Sequence, residues 1–278
     1  MRQALNSSVN QFVKLMSKSY LLTQICRRVV RVYDNDCNDD MLKNGEKNIL
    51  KLIVYNCDVD SVIMDVGANI GDWSVALINE GYHGRLVAVD PLSENLEKVR
   101  KKLTGLNYKN FDLCECALNN RIEKLKFFVN KDEALSGHDS IYDMRKLGYE
   151  ADIDCVDVQS TTLDELAIKK NIIKINFLKI DVEGNELNVL KGAANFLSKG
   201  DIDFIQIEFG HAARAARIYL HDIVQFVHKY DYEIFVIKPK GLMRLNFSPF
   251  IENRYSYINF LIVRKGLLSK VEVCIMEH

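Results

Sequence analysis

The chain has 278 residues, 48% of them hydrophobic and 27% charged, which excludes collagen-like, low-complexity and largely disordered proteins. Its 37 lysines and arginines nearly balance 38 aspartates and glutamates, so no overall positive field would hold nucleic acid. The seven cysteines are scattered and include no CxxC pair, which argues against a disulfide framework or a zinc site. Apolar runs are at most four residues long, which argues against a bilayer-spanning helix or a signal peptide. We therefore expect a cytoplasmic protein.

The chain begins with a basic segment that has no acid before Asp34. Its six basic residues are Arg2, Lys14, Lys18, Arg27, Arg28 and Arg31. Its apolar residues at helical spacing are Leu5, Val9, Phe12, Val13, Met16 and Tyr20. We therefore predict a basic amphipathic helical extension over residues 1–41. Three interpretations stay open: packing on the domain or on a second subunit in a homo-oligomer, peripheral membrane contact through residues 1–33, or a mobile tail.

We predict one domain over residues 42–278. From Val62 onward, short β-branched runs alternate with helical patterns, which is typical of a parallel sheet covered by helices. The predicted strands are 61–65, 85–90, 110–117, 124–130, 154–160, 176–182, 203–209, 233–237, 242–246 and 257–263. The predicted helices are 72–80, 93–103, one beginning at 163, 185–197 and 221–230. An irregular stretch, 131–150, contains Ser136, His138 and Tyr142 and is either an acceptor-binding loop or a simple connector.

A glycine loop, DVGANIG at 65–71, connects the first predicted strand of this domain to a helix. Glycines allow a sharp turn and close approach to a ligand, and the helix presents unpaired N–H groups. Asp90 ends the next strand, where a carboxylate can accept hydrogen bonds from ribose hydroxyls. The pattern lacks the G-x-G-x-x-G of a dinucleotide site. Asp65 suits an ammonium group better than a pyrophosphate, so the residues favour S-adenosylmethionine (SAM) over NAD, with a structural turn as the alternative.

Acidic residues follow two further strands. In 176–183, Lys179, Asp181 and Glu183 share one face, because strand side chains alternate. If the strands are parallel neighbours, Asp181 and Glu208 lie together at their carboxyl ends, where open α/β sheets bind ligands. Such acids can take a proton from a hydroxyl or hold Mg²⁺; the alternative is an internal ion pair with Lys179. His211, in the following loop, is a candidate base or ligand.

Several segments together resemble the FkbM family of SAM-dependent methyltransferases. They are DVGANIG (65–71), VDP (89–91), CECAL (114–118), TTLDEL (161–166), LKIDVEGNELNVLKGA (178–193) and IQIEF (205–209), with NGE (44–46) as the lead-in to a helix. The resemblance covers about residues 42–264. It implies a Rossmann-like class I methyltransferase fold, with helices on both faces of a seven-stranded, mostly parallel sheet whose last strand is antiparallel. It also implies O-methylation of a hydroxyl on a sugar, glycan or natural product.

The resemblance also implies roles for individual residues. The implied cofactor-binding residues are Asp65, Gly67, Ala68, Asn69, Gly71, Asp90, Glu115, Cys116, Ala117 and Asp181. The methyl-transfer end would hold Asp181, Glu183 and Glu208, with Asp181 and Glu208 as the ligands if a divalent cation is used. The family often has Glu where this chain has Asp90, and both residues can bind a ribose.

Two other function classes stay open at this point. The chain could be a catalytically inactive SAM-binding module, although a pure binder has no use for buried acids, which are costly. It could also be an NAD-dependent oxidoreductase. We expect a hydroxyl-bearing sugar, glycan or natural product as the partner and no nucleic acid.

Overall fold

The structure, a computed structural model, describes residues 9–14, 16–36, 38, 40–132, 137–148, 152–245 and 257–276. Leu5, Ser136 and position 246 of the predicted strand 242–246 lie outside these residues. Within them the strands are β1 Val62–Val66, β2 Arg85–Asp90, β3 Phe111–Glu115, β4 Ala117–Leu118, β5 Lys124–Asn130, β6 Ile153–Thr161, β7 Ile175–Ile180, β8 Ile202–Phe209, β9 Tyr232–Lys238, β10 Gly241–Arg244 and β11 Ile258–Arg264. The helices are α1 Tyr20–Asp34, α2 Glu46–Asn56, α3 Asp72–Asn79, α4 Ser93–Gly105, α5 Leu163–Lys169, α6 Glu186–Lys191, α7 Ala194–Lys199, α8 Ala212–Ala216 and α9 Leu220–His228.

The central sheet has the strand order β10-β9-β11-β8-β7-β1-β2-β3 in the described part of the chain. Strands β3, β2, β1, β7 and β8 run parallel, and β11 is antiparallel to both β8 and β9. This arrangement confirms the predicted Rossmann-like class, including the antiparallel last strand. The sheet has eight strands instead of seven because β10 folds back on β9 and extends the edge. A smaller sheet, β4-β6-β5, lies beside it.

Both faces of the central sheet are buried, because its strands are apolar at consecutive positions. On β7, Phe177 packs in one apolar cluster and its neighbour Leu178 in the other. Helices α2, α3 and α4 cover the Phe177 face, while α5, α6, α7 and α9 cover the Leu178 face. Helices on both faces bury a parallel sheet completely and leave its carboxyl edge open for a site.

The helix predicted over 185–197 is wrong in one respect, because the structure has two shorter helices, α6 and α7. The break occurs at Gly192, where a Cβ atom would lie 2.2 Å from the carbonyl oxygen of Asn119. The backbones therefore meet at a point that only glycine allows. Helical periodicity does not reveal such a tertiary contact. The helix from Leu163 begins as predicted, since the Thr162 side chain accepts a hydrogen bond from the Glu165 N–H.

The N-terminal extension contains α1, and residues 9–14 are also helical. The segment after α1 is bonded into the domain, since the Asn35 side-chain amide donates to the carbonyl oxygens of Asn44 and Ile237, at 2.6 and 3.3 Å. The boundary at residue 41 stays a prediction. Each helix in the described residues is too short or too polar to cross a lipid bilayer.

Candidate active site

A cavity of about 320 Å³ opens at the carboxyl ends of β1, β2, β7 and β8. This is the edge at which open α/β sheets bind their ligands. One wall is the loop after β1, a second is formed by residues that follow β2 and β3, and a third by the acids after β7 and on β8. The segment 137–141 closes part of the cavity from the side of the smaller sheet.

The loop after β1 needs glycine for two reasons. Gly67 has φ +78°, and a Cβ atom there would lie 1.7 Å from the carbonyl oxygen of Asp181. The N–H groups of Gly67 and Ala68 donate to the carbonyl of Val89, which ties the loop to β2. The side-chain oxygen of Asn69 is buried and has no hydrogen-bond partner among the described residues, although Asn69 lines the cavity. An unpaired buried acceptor in a cavity wall indicates a missing donor, which a ligand can supply.

The carboxylate of Asp90 is held in a fixed orientation beside this loop. Its Oδ2 atom accepts from the Asn69 N–H at 2.9 Å, and Oδ1 accepts from the Leu92 N–H at 2.9 Å and the Asn95 amide at 3.1 Å. Burial raises the pKa of Asp90 to about 6. A carboxylate has about four acceptor positions, so these three bonds leave capacity for a ligand hydroxyl.

Next to Asp90 the cavity wall becomes apolar. Cys116 and Ala117, which follow β3, line the cavity together with Phe127 and Ile141, and Ala117, Phe127 and Ile141 pack in one apolar cluster. The Cys116 N–H donates to the carbonyl of Asp90, which fixes this segment against β2. Flat apolar walls beside a hydroxyl-binding carboxylate suit a purine ring attached to a ribose.

Three carboxylates meet at the other end of the cavity. Oxygen atoms of Asp181, Glu183 and Glu208 all lie within 4.8 Å of one another. Burial raises the pKa of Glu208 well above its usual value, and the charges of Asp181 and Glu183 raise it further. Burial also raises the pKa of Glu183, although His138 opposes that shift. The predicted meeting of Asp181 with Glu208 is confirmed, because β7 and β8 are parallel neighbours in register.

Lys179 is the buried cation of this end of the site. Its Nζ atom lies 2.8 Å from Asp181 Oδ2 and 3.9 Å from Asp65 Oδ1. Burial lowers the pKa of Lys179, but the two carboxylates raise it overall, so the lysine stays protonated. The predicted internal ion pair therefore exists within the acidic cluster and fixes the position of Asp181.

Two side chains that sequence reasoning did not assign to the cluster complete it. His138 Nδ1 lies 3.5 Å from Glu183 Oε1, and this hydrogen bond raises the pKa of His138. Tyr257 hydrogen-bonds Glu208 and lines the cavity. Glu183 has φ +49°, which is uncommon for a residue with a side chain, and Ser140 Oγ donates to its carbonyl oxygen at 2.6 Å. Local strain of this kind often occurs at functional sites.

Eight predicted site residues line the cavity together. They are Gly67, Asn69, Asp90, Cys116, Ala117, Asp181, Glu183 and Glu208. The other five candidates do not appear in its lining: Asp65, Ala68, Gly71, Glu115 and His211. Gly71 begins α3, Glu115 is exposed at the end of β3, and His211 precedes α8.

Asp65 differs most from its sequence-based interpretation. Its carboxylate is fully buried behind the glycine loop, where Oδ2 accepts from Ser74 Oγ at 2.6 Å. Burial raises the pKa of Asp65, while Lys179 opposes the shift. The carboxylate thus contacts Ser74 and Lys179 and does not line the cavity, and its role toward an ammonium group stays a prediction.

The residues present fit SAM. The Asn69 oxygen lacks a donor, Asp90 has capacity for a ribose hydroxyl, and the wall beside it is apolar. The carboxylates at the far end would attract the positively charged methionine end of the cofactor. One cavity therefore offers a place for each of the three parts of the molecule: the purine, the ribose and the positively charged methionine end.

Comparison with known proteins gives matches to methyltransferases. The model of the methyltransferase FkbM domain matches residues 65–234. The hexuronic acid methyltransferase AglP of Haloferax volcanii is 25% identical over 170 residues, which cover 60% of this chain and 64% of that protein. Methyltransferase 1 of Beauveria bassiana is 25% identical over 146 residues, covering 48% of this chain and 58% of that protein. The match therefore spans less than two thirds of each of these relatives.

Among solved structures, the methyltransferase FkbM of Methylobacillus flagellatus is similar, with a TM-score of 0.46 and 19% identity. That similarity covers 73% of this chain and 44% of the other.

Proposed function

The chain belongs to the FkbM methyltransferase family, and from that premise we propose that it is a SAM-dependent O-methyltransferase that acts on a hydroxyl of a sugar, glycan or natural product. The observation that carries the proposal is the acidic cluster, Asp181, Glu183 and Glu208, at one end of a cavity whose other end suits an adenosine. A binding module would gain nothing from three partly buried acids whose like charges are expensive to keep together.

In the proposed reaction SAM, when bound, supplies a methyl group on a positively charged sulfur. Asp90 orients the ribose, and the Asn69 side chain accepts a hydrogen bond from the cofactor. The apolar wall at Ala117 excludes water from the purine. Fixing two reactants in an attack geometry can contribute about 7–11 kcal/mol to lowering the barrier, so positioning is the larger part of the work.

The acceptor hydroxyl loses its proton as the methyl group is transferred. Glu183 and Glu208 have raised pKa values, so the ionised form of each is a stronger base than an exposed carboxylate. A general base needs this property. His138 contacts Glu183 and its side chain is 59% exposed, so its imidazole can pass the proton to solvent. Lys179 fixes the position of the Asp181 carboxylate through the 2.8 Å contact between Nζ and Oδ2.

The same three carboxylates provide the oxygen ligands that a hard cation such as Mg²⁺ prefers. Dialysis against EDTA separates the two routes for activating the hydroxyl. If activity survives EDTA, the side chains alone remove the proton of the acceptor hydroxyl. Activity that is lost and restored by Mg²⁺ assigns a cation to Asp181 and Glu208.

The name of AglP, a hexuronic acid methyltransferase, supports sugar acids as the first acceptors to test. We propose incubating the chain with radiolabelled SAM and a panel of hexuronic acids, neutral sugars and glycans, and following label transfer and product mass. We expect Asp181→Asn and Glu208→Gln to bind SAM and lose turnover. Glu165→Gln changes an exposed acid on α5 and serves as the control.

Full turnover in both cavity variants would refute the proposed role of the cluster. SAM binding without transfer to any acceptor would favour the inactive module. Binding of NAD in place of SAM would favour the oxidoreductase.

A further inference from the structure

Helix α1 has an apolar side that the described chain does not cover. Leu21, Ile25, Val29 and Val32 fall on one side of the helix at helical spacing, and we call them the apolar face of α1. Their exposed fractions range from 50% for Ile25 to 74% for Val32. No residue of α1 is buried against the parts of the chain that the structure describes. Contiguous apolar surface of this kind marks an interaction site.

The polar side of α1 is strongly basic. Arg27 lies on the side opposite the apolar face, Arg31 lies on its flank, and Arg28 borders it. Arg27 and Arg28 have no ionic partner within the described ranges, whereas Arg31 lies 3.5 Å from Asp36. Asp34, at the end of the helix, is the first acid in the sequence, so no acid within the first 33 residues balances these arginines. A basic helix with an exposed apolar face has the two properties that anionic bilayers bind.

We propose that α1 docks on the surface of an anionic phospholipid bilayer, with its apolar face among the lipids at headgroup depth and its arginines on the anionic headgroups. Long arginine side chains can reach the anionic headgroups while the helix axis lies deeper in the bilayer surface. A second copy of the chain fits less well, because pairing two apolar faces would bring the bordering Arg28 side chains of both copies toward each other. Like charges in such contacts oppose association.

The attachment of α1 brings the bilayer close to the candidate site. The Lys238 side chain donates to the carbonyl of Tyr33 at 2.7 Å, at the carboxyl end of β9. Asp36 Oδ1 accepts from the N–H of Tyr257 at 3.0 Å, and Tyr257 lines the cavity. The bound helix would therefore hold the carboxyl edge of the sheet next to the membrane. This inference does not depend on the proposed methyltransferase function.

Co-sedimentation of the full chain with lipid vesicles tests the proposal. We expect binding to vesicles of phosphatidylcholine mixed with phosphatidylglycerol, weaker binding to phosphatidylcholine alone, and release by added salt. The triple variant Arg27→Gln/Arg28→Gln/Arg31→Gln should bind anionic vesicles roughly 100-fold more weakly. The double variant Ile25→Glu/Val29→Glu should also lose binding, because it places charge in the apolar face.

The control variants change exposed residues elsewhere on the chain. They are Ile173→Glu and the triple variant Lys98→Gln/Arg100→Gln/Lys101→Gln on α4, and both should bind as the unmodified chain does. Circular dichroism checks that every variant is folded. Absence of binding to anionic vesicles would overturn the proposal, as would equal binding by the α1 variants. The proposal would also be overturned if the chain does not bind vesicles and instead forms a dimer that Ile25→Glu/Val29→Glu dissociates. That result would assign the apolar face of α1 to a second copy of the chain.

Discussion

Replacing Lys179 by Met removes the cation that pairs with the fully buried Asp65 and the partly buried Asp181. Lys179 Nζ is 2.8 Å from Asp181 Oδ2 and 3.9 Å from Asp65 Oδ1, and its side chain is 9% exposed. Methionine keeps the length and apolar stem of the side chain, so the change removes charge and leaves little cavity. Removing one partner of a buried ion pair costs about 3–5 kcal/mol of unfolding free energy, because the other charge stays buried without compensation.

Urea unfolding measures this loss, and its pH dependence identifies the cause. Without the lysine, the pKa of Asp65, already raised by burial, should rise further. The folded state would then bind a proton that the unfolded state releases above its ordinary pKa of about 4. The variant should therefore regain stability as the pH is lowered from neutrality, because Asp65 takes up this proton in the folded state. Adding Asp65→Asn to Lys179→Met should restore part of the loss at neutral pH.

Lys265→Met is the control, since Lys265 pairs with Asp231 at 2.9 Å with both side chains largely exposed. Such surface pairs contribute about 0–1 kcal/mol. The reasoning is refuted if Lys179→Met unfolds at the same urea concentration as Lys265→Met. It is also refuted if the loss caused by Lys179→Met does not change with pH.

Three further predictions concern the cofactor cavity and the fold around it. Because burial raises the pKa of Asp90 to about 6, SAM affinity measured by titration calorimetry should fall as the pH drops through that value, and Asp90→Asn should abolish this dependence. Gly67→Ala should abolish SAM binding, since its Cβ atom would meet a backbone oxygen at 1.7 Å. Gly81 has φ +102°, but a Cβ atom there would lie 4.0 Å from its nearest neighbour, a side-chain carbon of Val54. The control variant Gly81→Ala should therefore lower the free energy of unfolding by about 1–2 kcal/mol and leave SAM binding unchanged. Thr162→Ala removes the cap of α5 and should cost about 1 kcal/mol in thermal unfolding, without loss of SAM binding.

The strand pattern could be predicted from the sequence because parallel strands that are buried on both sides are apolar at consecutive positions. An acid that interrupts such a run stands out in the sequence, and for this reason the sequence alone predicts that Asp181 and Glu208 are neighbours. Alternation along the strand also placed Lys179 with them. Similarly, Asp90 could be located because it ends the strand after a glycine loop.

Other features depend on distant contacts that no local pattern reports. Tyr257 directly precedes β11, the last strand in the sequence. Its N–H donates a hydrogen bond to Asp36, which lies 221 residues away along the chain. His138 belongs to an irregular stretch of the sequence, in which no periodic pattern indicates the direction of each side chain. The burial of Asp65 depends on Ser74 and Lys179 approaching from a helix and a neighbouring strand. The break at Gly192 has the same origin, a close approach to Asn119.

Titration calorimetry of the full chain with SAM, and separately with NAD, tests most directly whether this cavity is a SAM site. We predict binding of one SAM per chain, strong weakening by Asp90→Ala, and no heat of binding with NAD. Binding of NAD in preference to SAM, or SAM binding that Asp90→Ala does not change, would contradict the assignment.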